Sequence, residues 1–330
     1  MDDVLKVLAD ALRAAVGVQA AAYALAAIGL NVHFGFTGLI NFGHIAFMAI
    51  GAYTTAIVVD SGLSLWLAVP SGLLAAVVLG ILLGIPTLRL RADYLAITTI
   101  AVGEIIRIMV RSSALEGLTG GVFGIQGFAD DFFGLNPFGR GSYGVWDVRF
   151  NERSTWVIVV AWALVALCAT LVWALMRAPF GRVLKAIRED EDAARALGKN
   201  VFAFKIRSLC LGGAIGALAG IVLAFEAQAV VPDRYLPQTT FFIWTAMILG
   251  GTGSILGPIA GSVIFWFIVQ FTEGLLRLGV SNGAIPEWLL SSQQVASVRF
   301  MLVGGVLMAL MIWRPQGIFG KREEVLIGAR

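Results

Sequence analysis

Few side chains in this sequence can do chemistry, and most of them sit among apolar neighbours. Glu104 and Arg107 stand three residues apart in Gly103-Glu104-Ile105-Ile106-Arg107, so on a helix they share a face and can pair. An ionisable residue inside an apolar helix is a functional-site candidate by default. The competing reading is a structural ion pair that locks helix packing near the end of its segment. Thr37, Asn41 and His44 fall in a stretch that also holds Gly35, Gly38 and Gly43. They suit the wall of a permeation route or plain close contact between helices, since small residues serve both. Cys168 and Cys210 lie in apolar runs and read as small buried hydrophobes rather than a disulfide or metal site. With His33 and His44 the only histidines, no Cys/His cluster exists to hold a catalytic zinc. Neither H-E-x-x-H nor a Walker A run occurs, so the sequence offers no catalytic residue, no cofactor site and no P-loop with which to hydrolyse ATP.

The densest charge lies in 177–207, which carries eight basic residues: Arg177, Arg182, Lys185, Arg188, Arg195, Lys199, Lys205 and Arg207. Within it, the acids Glu189, Asp190, Glu191 and Asp192 precede Ala193-Ala194-Arg195-Ala196-Leu197-Gly198. Acidic residues favour a helix N-terminus and glycine suits the end. The expectation is a short charged helix lying on the membrane surface between two spans.

The elements that must position these residues follow from composition. Of the 330 residues, 58% are hydrophobic and 14% charged, and the mean hydropathy is +0.86. Soluble domains carry about 25% charged residues, so a soluble enzyme, a disordered chain and a nucleic-acid binder are poor fits. Apolar runs of about 20 residues span a bilayer. Those expected to do so are 14–32, 39–59, 64–85, 93–110, 155–176, 206–227 and 298–313. The charge-free stretch 239–272 is interrupted by Gly250-Gly251-Thr252-Gly253-Ser254 and reads as two helices or half-helices meeting at a glycine break. The expected fold is all-α, a polytopic bundle of about nine spans, with eight to ten as the range. Because Met1-Asp2-Asp3 is acidic where a signal peptide is basic, the first run is expected to remain as a helix.

If the spans alternate, one side receives 177–207, the tail 314–330 and the link 86–92, with fourteen Lys/Arg in 55 residues. The other receives 111–154, 228–238 and 273–297, with six in 80. The positive-inside rule puts the first side in the cytoplasm, and the net charge of +3 is largely located there. The same parity sends the N-terminus outside, against Lys6 and Arg13; a re-entrant piece around His33 to Gly43 would resolve the conflict. A weak internal echo links Gly35-x-Thr37-Gly38-x-Ile40 with Gly250-x-Thr252-Gly253-x-Ile255, the kind of repeat that marks midplane pathways. The glycine- and aromatic-rich loop 111–154 is either a docking surface or a spacer.

The order Asp192-Ala193-Ala194-x-x-x-Gly198 resembles the EAA loop of ABC-transporter permeases. Gly38-Leu39-Ile40-Asn41-Phe42-Gly43-His44-Ile45-Ala46-Phe47 with Gly51-Ala52-Tyr53 narrows the resemblance to branched-chain amino acid permeases of the Liv type. So do Arg91-Ala92-Asp93-Tyr94-Leu95-Ala96-Ile97-Thr98-Thr99, Leu118-Thr119-Gly120-Gly121, Pro179-Phe180-Gly181-Arg182 and Leu249-Gly250-Gly251-x-Gly253 with Gly257-Pro258. The resemblance covers roughly 20 to 320, and size and the 111–154 loop favour the LivM-type over the LivH-type subunit. Lys199-Asn200-Val201-Phe202 replaces the Ile-x-Leu-Pro ending of the general EAA pattern.

The resemblance implies one permease domain over 1–330, with 177–207 as the cytoplasmic coupling loop. Glu191, Asp192, Ala193, Ala194, Arg195 and Gly198 would then be the ATPase-coupling residues. Implied partners are two ABC ATPase subunits, a second LivH-type permease or a second copy of the chain, and an extracytoplasmic substrate-binding protein. The implied activity is import of branched-chain or related amino acids across the bacterial inner membrane, with ATP hydrolysed in the partner subunits. The same family reading admits urea, short amides or aromatic acids as cargo. A secondary transporter, from a different class, would need coupling-ion carboxylates in its spans, where only Glu104 qualifies. No contact with nucleic acid is expected.

Overall fold

The computed structural model describes residues 2–88, 92–145, 147–282, 294–313 and 316–320. The basic Arg89 and Arg91 of the link 86–92, part of the loop 273–297 and most of the tail 314–330 lie outside the described residues.

The chain is helical almost throughout. In order come α1 (Asp2–Val16), α2 (Val18–Thr37), α3 (His44–Asp60), α4 (Leu65–Thr87) and α5 (Ala92–Arg111). The short α6 (Glu116–Thr119) and α7 (Asp130–Gly134) precede α8 (Glu152–Arg177), α9 (Pro179–Glu189), α10 (Glu191–Ala196) and α11 (Val201–Ala227). The last three are α12 (Pro237–Gly250), α13 (Gly257–Ser281) and α14 (Val295–Trp313). Among the described residues, five helices (α2, α4, α8, α11 and α13) are long and apolar enough to cross a membrane. The large side chains that α4 and α8 expose, such as Leu67, Leu74, Leu82, Leu167 and Leu171, are those of a surface solvated by lipid. The chain is a multi-pass membrane protein.

Two boundaries differ from the sequence expectation. The run 14–32 was expected as the first span, but Gly17 breaks it in an extended conformation (ψ 177°). Ala14, Ala15 and Val16 complete α1, a separate amphipathic helix packed on α13, and the span starts at Val18. Hydropathy alone cannot separate them, because Ala14, Ala15 and Val16 are as apolar as the residues of the span that follows. The second difference is at 39–59: residues 38–43 are not helical, and α3 begins only at His44. The ring of His44 lies 5.4 Å from that of His33, so the chain leaves the end of α2 and turns back into the bundle before α3 starts. The stretch 239–272 divides as expected, into α12 and α13 around 251–256. With 14 residues, α12 is about 21 Å long, short of a ~30 Å hydrocarbon core.

At the centre α2 and α11 lie against each other, with α2 enclosed on nearly every side. Lipid tails are as apolar as leucine, so close backbone approach rather than water exclusion drives such contacts. The sequence allows it at Gly29, Gly212 and Gly216: a Cβ on Gly29 would meet the Gly212 carbonyl oxygen at 2.4 Å. Around this pair stand α3, α4, α8, α12 and α13.

The two ends of the bundle differ. At one, the strand β1 (Ile125–Gln126) pairs antiparallel with β4 (Ala229–Val230), and β2 (Ser142–Val145) forms a hairpin with β3 (Val148–Asn151). Arg13 of α1 sits over the Phe150 ring, 5.2 Å from its centroid, so α1 belongs to this end. At the other end lie α9 and α10, and residues 316–320, where the Ile318 and Phe319 amides donate to the carbonyls of Leu249 and Gly250.

Candidate functional site

The basic end is built around α9 and α10. Asp190 caps α10, its carboxylate accepting from the amides of Asp192 and Ala193 at 2.9 Å each. These donors have no partner within the helix, and the negative charge also opposes the positive end of its dipole. The far end closes on Gly198, whose left-handed φ of +75° favours glycine, and the Lys199 amide returns to the Ala194 carbonyl at 3.2 Å. Arg195 holds Glu191 at 2.9 Å and Asp192 at 2.8 Å, while Lys205 of α11 takes the other Glu191 oxygen.

Only one side chain of α10 is buried. Ala194 packs with Ile187 and Val201, whereas Asp192, Ala193, Arg195, Ala196 and the following Leu197 are exposed, Leu197 at 79%. The six residues singled out from sequence therefore form one capped element, with Ala194 as its foot.

A connection that the sequence does not reveal runs inward from there. The Arg188 guanidinium, at the end of α9, donates to the Gly35 carbonyl in the last turn of α2. The C-terminus of α2 is closed by Gly38 (φ +76°), with Gly38 N–H bonded to the Phe34 carbonyl and Leu39 N–H to that of His33. That leaves the Gly35 carbonyl among the orphan acceptors of the helix end, where a cation is favoured. Arg188 thus joins the basic surface helices to the point at which the chain turns into 38–43.

Thr37, Asn41 and His44 meet inside the bundle, each 2% exposed or less. Thr37 Oγ1 donates to the Val32 carbonyl at 2.9 Å and lies 2.7 Å from Ser208 Oγ of α11. Asn41 Oδ1 accepts from Gly43 N–H, and its Nδ2 lies 3.2 Å from His33 Nδ1. His33 Nε2 is 3.1 Å from the Leu209 carbonyl. The last contact needs a proton on Nε2, which leaves Nδ1 as acceptor for Asn41. His44 fits between Gly29 and Gly216, and neither ring nitrogen makes a hydrogen bond of ordinary geometry; the Ala26 carbonyl acts on it only outside that range.

The echoed glycine segments lie together. Asn31 of α2 donates to the Ser254 carbonyl at 2.8 Å and accepts from Gly253 N–H at 2.9 Å, so it satisfies the broken backbone between α12 and α13. The Trp244 indole donates to the Asn41 carbonyl at 3.1 Å. Asn31 and Ser208 were not singled out from sequence. The available signal was a polar side chain within an apolar span, where burial demands a partner.

Glu104 and Arg107 do pair on α5, Arg107 Nε donating to Oε2 at 2.9 Å with a second bond from Nη2 to Oε1. Asp233, in the connection after β4, receives Arg107 at 3.4 Å and Arg111 at 3.1 Å. The four charges tie α5 to the loop leading into α12. Among the described residues, no group of three or more His, Cys, Asp or Glu side chains could hold a metal.

A family model described as the permease component of the branched-chain amino acid transport system matches residues 12–312. The high-affinity branched-chain amino acid permease protein LivM of Escherichia coli K12 is 33% identical over 307 residues, covering 90% of this chain and 67% of that protein. A probable LivM of Methanocaldococcus jannaschii is 25% identical over 346 residues, 92% of each chain. LivH of Salmonella typhimurium is 26% identical over 313 residues, covering 91% of this chain and 92% of its own length. The matched stretch runs from α1 to α14, across the polar core and the surface helices alike, and the chain therefore belongs to the family of branched-chain amino acid transport permease components, as a LivM-type permease subunit of an ABC importer.

Proposed function

We propose that this chain imports branched-chain amino acids across the bacterial inner membrane, paired with a LivH-type permease or a second copy of itself. ATP is hydrolysed by two partner ATPases, which dock on α10 and the turn after it at the cytoplasmic end: Glu191, Asp192, Ala193, Ala194, Arg195 and Gly198. An extracytoplasmic binding protein delivers substrate at the opposite end, where the structured loop 111–154 pairs with β4. The whole of 1–330 acts as one permease domain.

The observation that carries this reading is the two-sidedness of α9 and α10. Outward they offer Asp192, Arg195 and a bare Leu197; inward they hold α2 through Arg188. A transporter needs two conformations with different access and a ligand that biases them, and a rigid element in contact with both motor and core supplies the lever. In this reading Thr37, Asn41 and His44 are a packing network inside the subunit, because Thr37 and Asn41 direct their polar atoms to Val32, Ser208, His33 and Gly43, and His44 is enclosed between Gly29 and Gly216. Glu104 and Arg107 act as a clamp between α5 and the outer loop.

The test uses the complete importer reconstituted with its binding protein. Replacing Asp192, Arg195 and Leu197 together by alanine should leave the permease inserted and assembled. ATP-driven leucine uptake should fall at least about tenfold, the effect of losing about 1.4 kcal/mol or more of docking free energy. Full uptake by that variant would remove the assignment.

A further inference from the structure

Beneath the C-terminal turn of α1, at the end opposite the basic surface, the structure holds a second feature with no part in coupling. A cavity of 250 Å³ lies between the ends of α1, α2, α8 and α11 and the middle of α13. That is a little below the ~300–1,000 Å³ of drug-sized sites and suits a ligand the size of one amino acid. Its lining combines one cation, Arg13, one anion, Glu226, the amide of Gln270 and the apolar faces of Ile158 and Trp266.

Arg13 and Glu226 are both exposed at the mouth of the cavity, where hydrated charges need not pair. Here they do not: the described ion pairs give Glu226 only Arg234, at the outer limit of 4.0 Å, while Arg13 is held over the Phe150 ring. The Trp266 ring, edge-on to Tyr23, forms part of the apolar wall, and its indole N–H is buried away from the open space of the cavity. A separated cation and anion beside an apolar wall match a molecule with an anionic end, an ammonium end and a short apolar part.

We propose that this cavity binds a small zwitterion, its anionic group on Arg13 and its ammonium on Glu226. Two sources share that chemistry: a free α-amino acid and the headgroup of phosphatidylethanolamine. The first source rests on the substrate class proposed above; the second does not.

The experiment uses the assembled importer in nanodiscs of phosphatidylglycerol alone, without binding protein. Leucine, isovalerate (no ammonium) and isoamylamine (no carboxylate) are titrated in turn, and mass spectrometry measures phosphatidylethanolamine carried through purification from native membranes. For the free amino acid, wild-type protein should prefer leucine to either half-molecule. Arg13→Gln and Glu226→Gln should each weaken leucine about tenfold or more, the cost of one charged hydrogen-bond partner. The pattern should be matched: Glu226→Gln no longer disfavours isovalerate, and Arg13→Gln no longer disfavours isoamylamine. For the lipid, leucine does not bind, and either substitution strips the retained phosphatidylethanolamine. Arg234→Gln should change neither result. Leucine binding and lipid retention that are both absent, or both indifferent to Arg13 and Glu226, overturn the proposal. Leucine uptake by the wild-type importer with its binding protein, run in parallel, reports separately on the proposed function.

Discussion

Arg188→Ala is the substitution on which the lever argument stands or falls. The side chain is half-buried, and its guanidinium donates to a helix-end carbonyl that the Gly38 cap leaves unsatisfied. A hydrogen bond from a charged donor contributes about 1.5–3 kcal/mol, and a cation in the last turn of a helix adds about 0.3–1 kcal/mol. Taking a total near 2 kcal/mol, removal shifts a two-state equilibrium that depends on the contact by about thirtyfold. The assay is the number of ATP molecules hydrolysed per leucine imported by the reconstituted complex. The ratio should rise severalfold or more in Arg188→Ala, with ATP turnover persisting, because the ATPases still engage Asp192, Arg195 and Leu197. Arg188→Lys should recover part of the coupling, since lysine restores the charge but not the planar fork. An unchanged ratio in Arg188→Ala, with normal assembly, would refute the connection between surface helix and core.

The remaining predictions concern the core and the clamps. Gly216→Ala places a Cβ 2.6 Å from His44 Nε2; the overpacking should cost about 1–3 kcal/mol, visible as a lower midpoint in detergent thermal-unfolding scans. Asn31→Leu strands Gly253 N–H and the Ser254 carbonyl. It should cost a similar amount and increase proteolysis at the 251–256 break. Asp190→Ala removes the α10 cap and should weaken that helix by about 1 kcal/mol, measured as faster amide exchange over 191–197. A double-mutant cycle on Glu104 and Arg107, read as unfolding free energy, should give a coupling of about 1 kcal/mol or less, because Glu104 is partly exposed.

The basic surface element was legible because its determinants are local. Acidic residues ahead of a helical run and a glycine at its end act within a few residues, so the short helix between 189–192 and Gly198 could be read along the chain, whereas the Asp190 cap and the Glu191–Arg195 pair came from the structure. The pairing of Glu104 with Arg107 was legible for the same reason, being one helical turn. The attachment of that pair to Asp233 was not, because 126 residues separate Arg107 from Asp233.

Sequence by itself determined the solvent and the sidedness. A composition of 58% hydrophobic and 14% charged residues leaves too little polar surface for water, and the crowding of eight basic residues into 177–207 distinguishes one end from the other. Both are sums over many residues, indifferent to which atoms touch. Tertiary structure alone decided that α2 lies at the centre, that Gly17 separates a surface helix from a span, and that 38–43 turns back into the bundle. It also decided that Asn31 satisfies a backbone break 222 residues away, that Arg188 completes the end of α2, and that Arg13 and Glu226 share a cavity. Each of these depends on two surfaces fitting at close range. A glycine reads the same whether it faces lipid or a neighbouring backbone, and only the packed bundle reveals which.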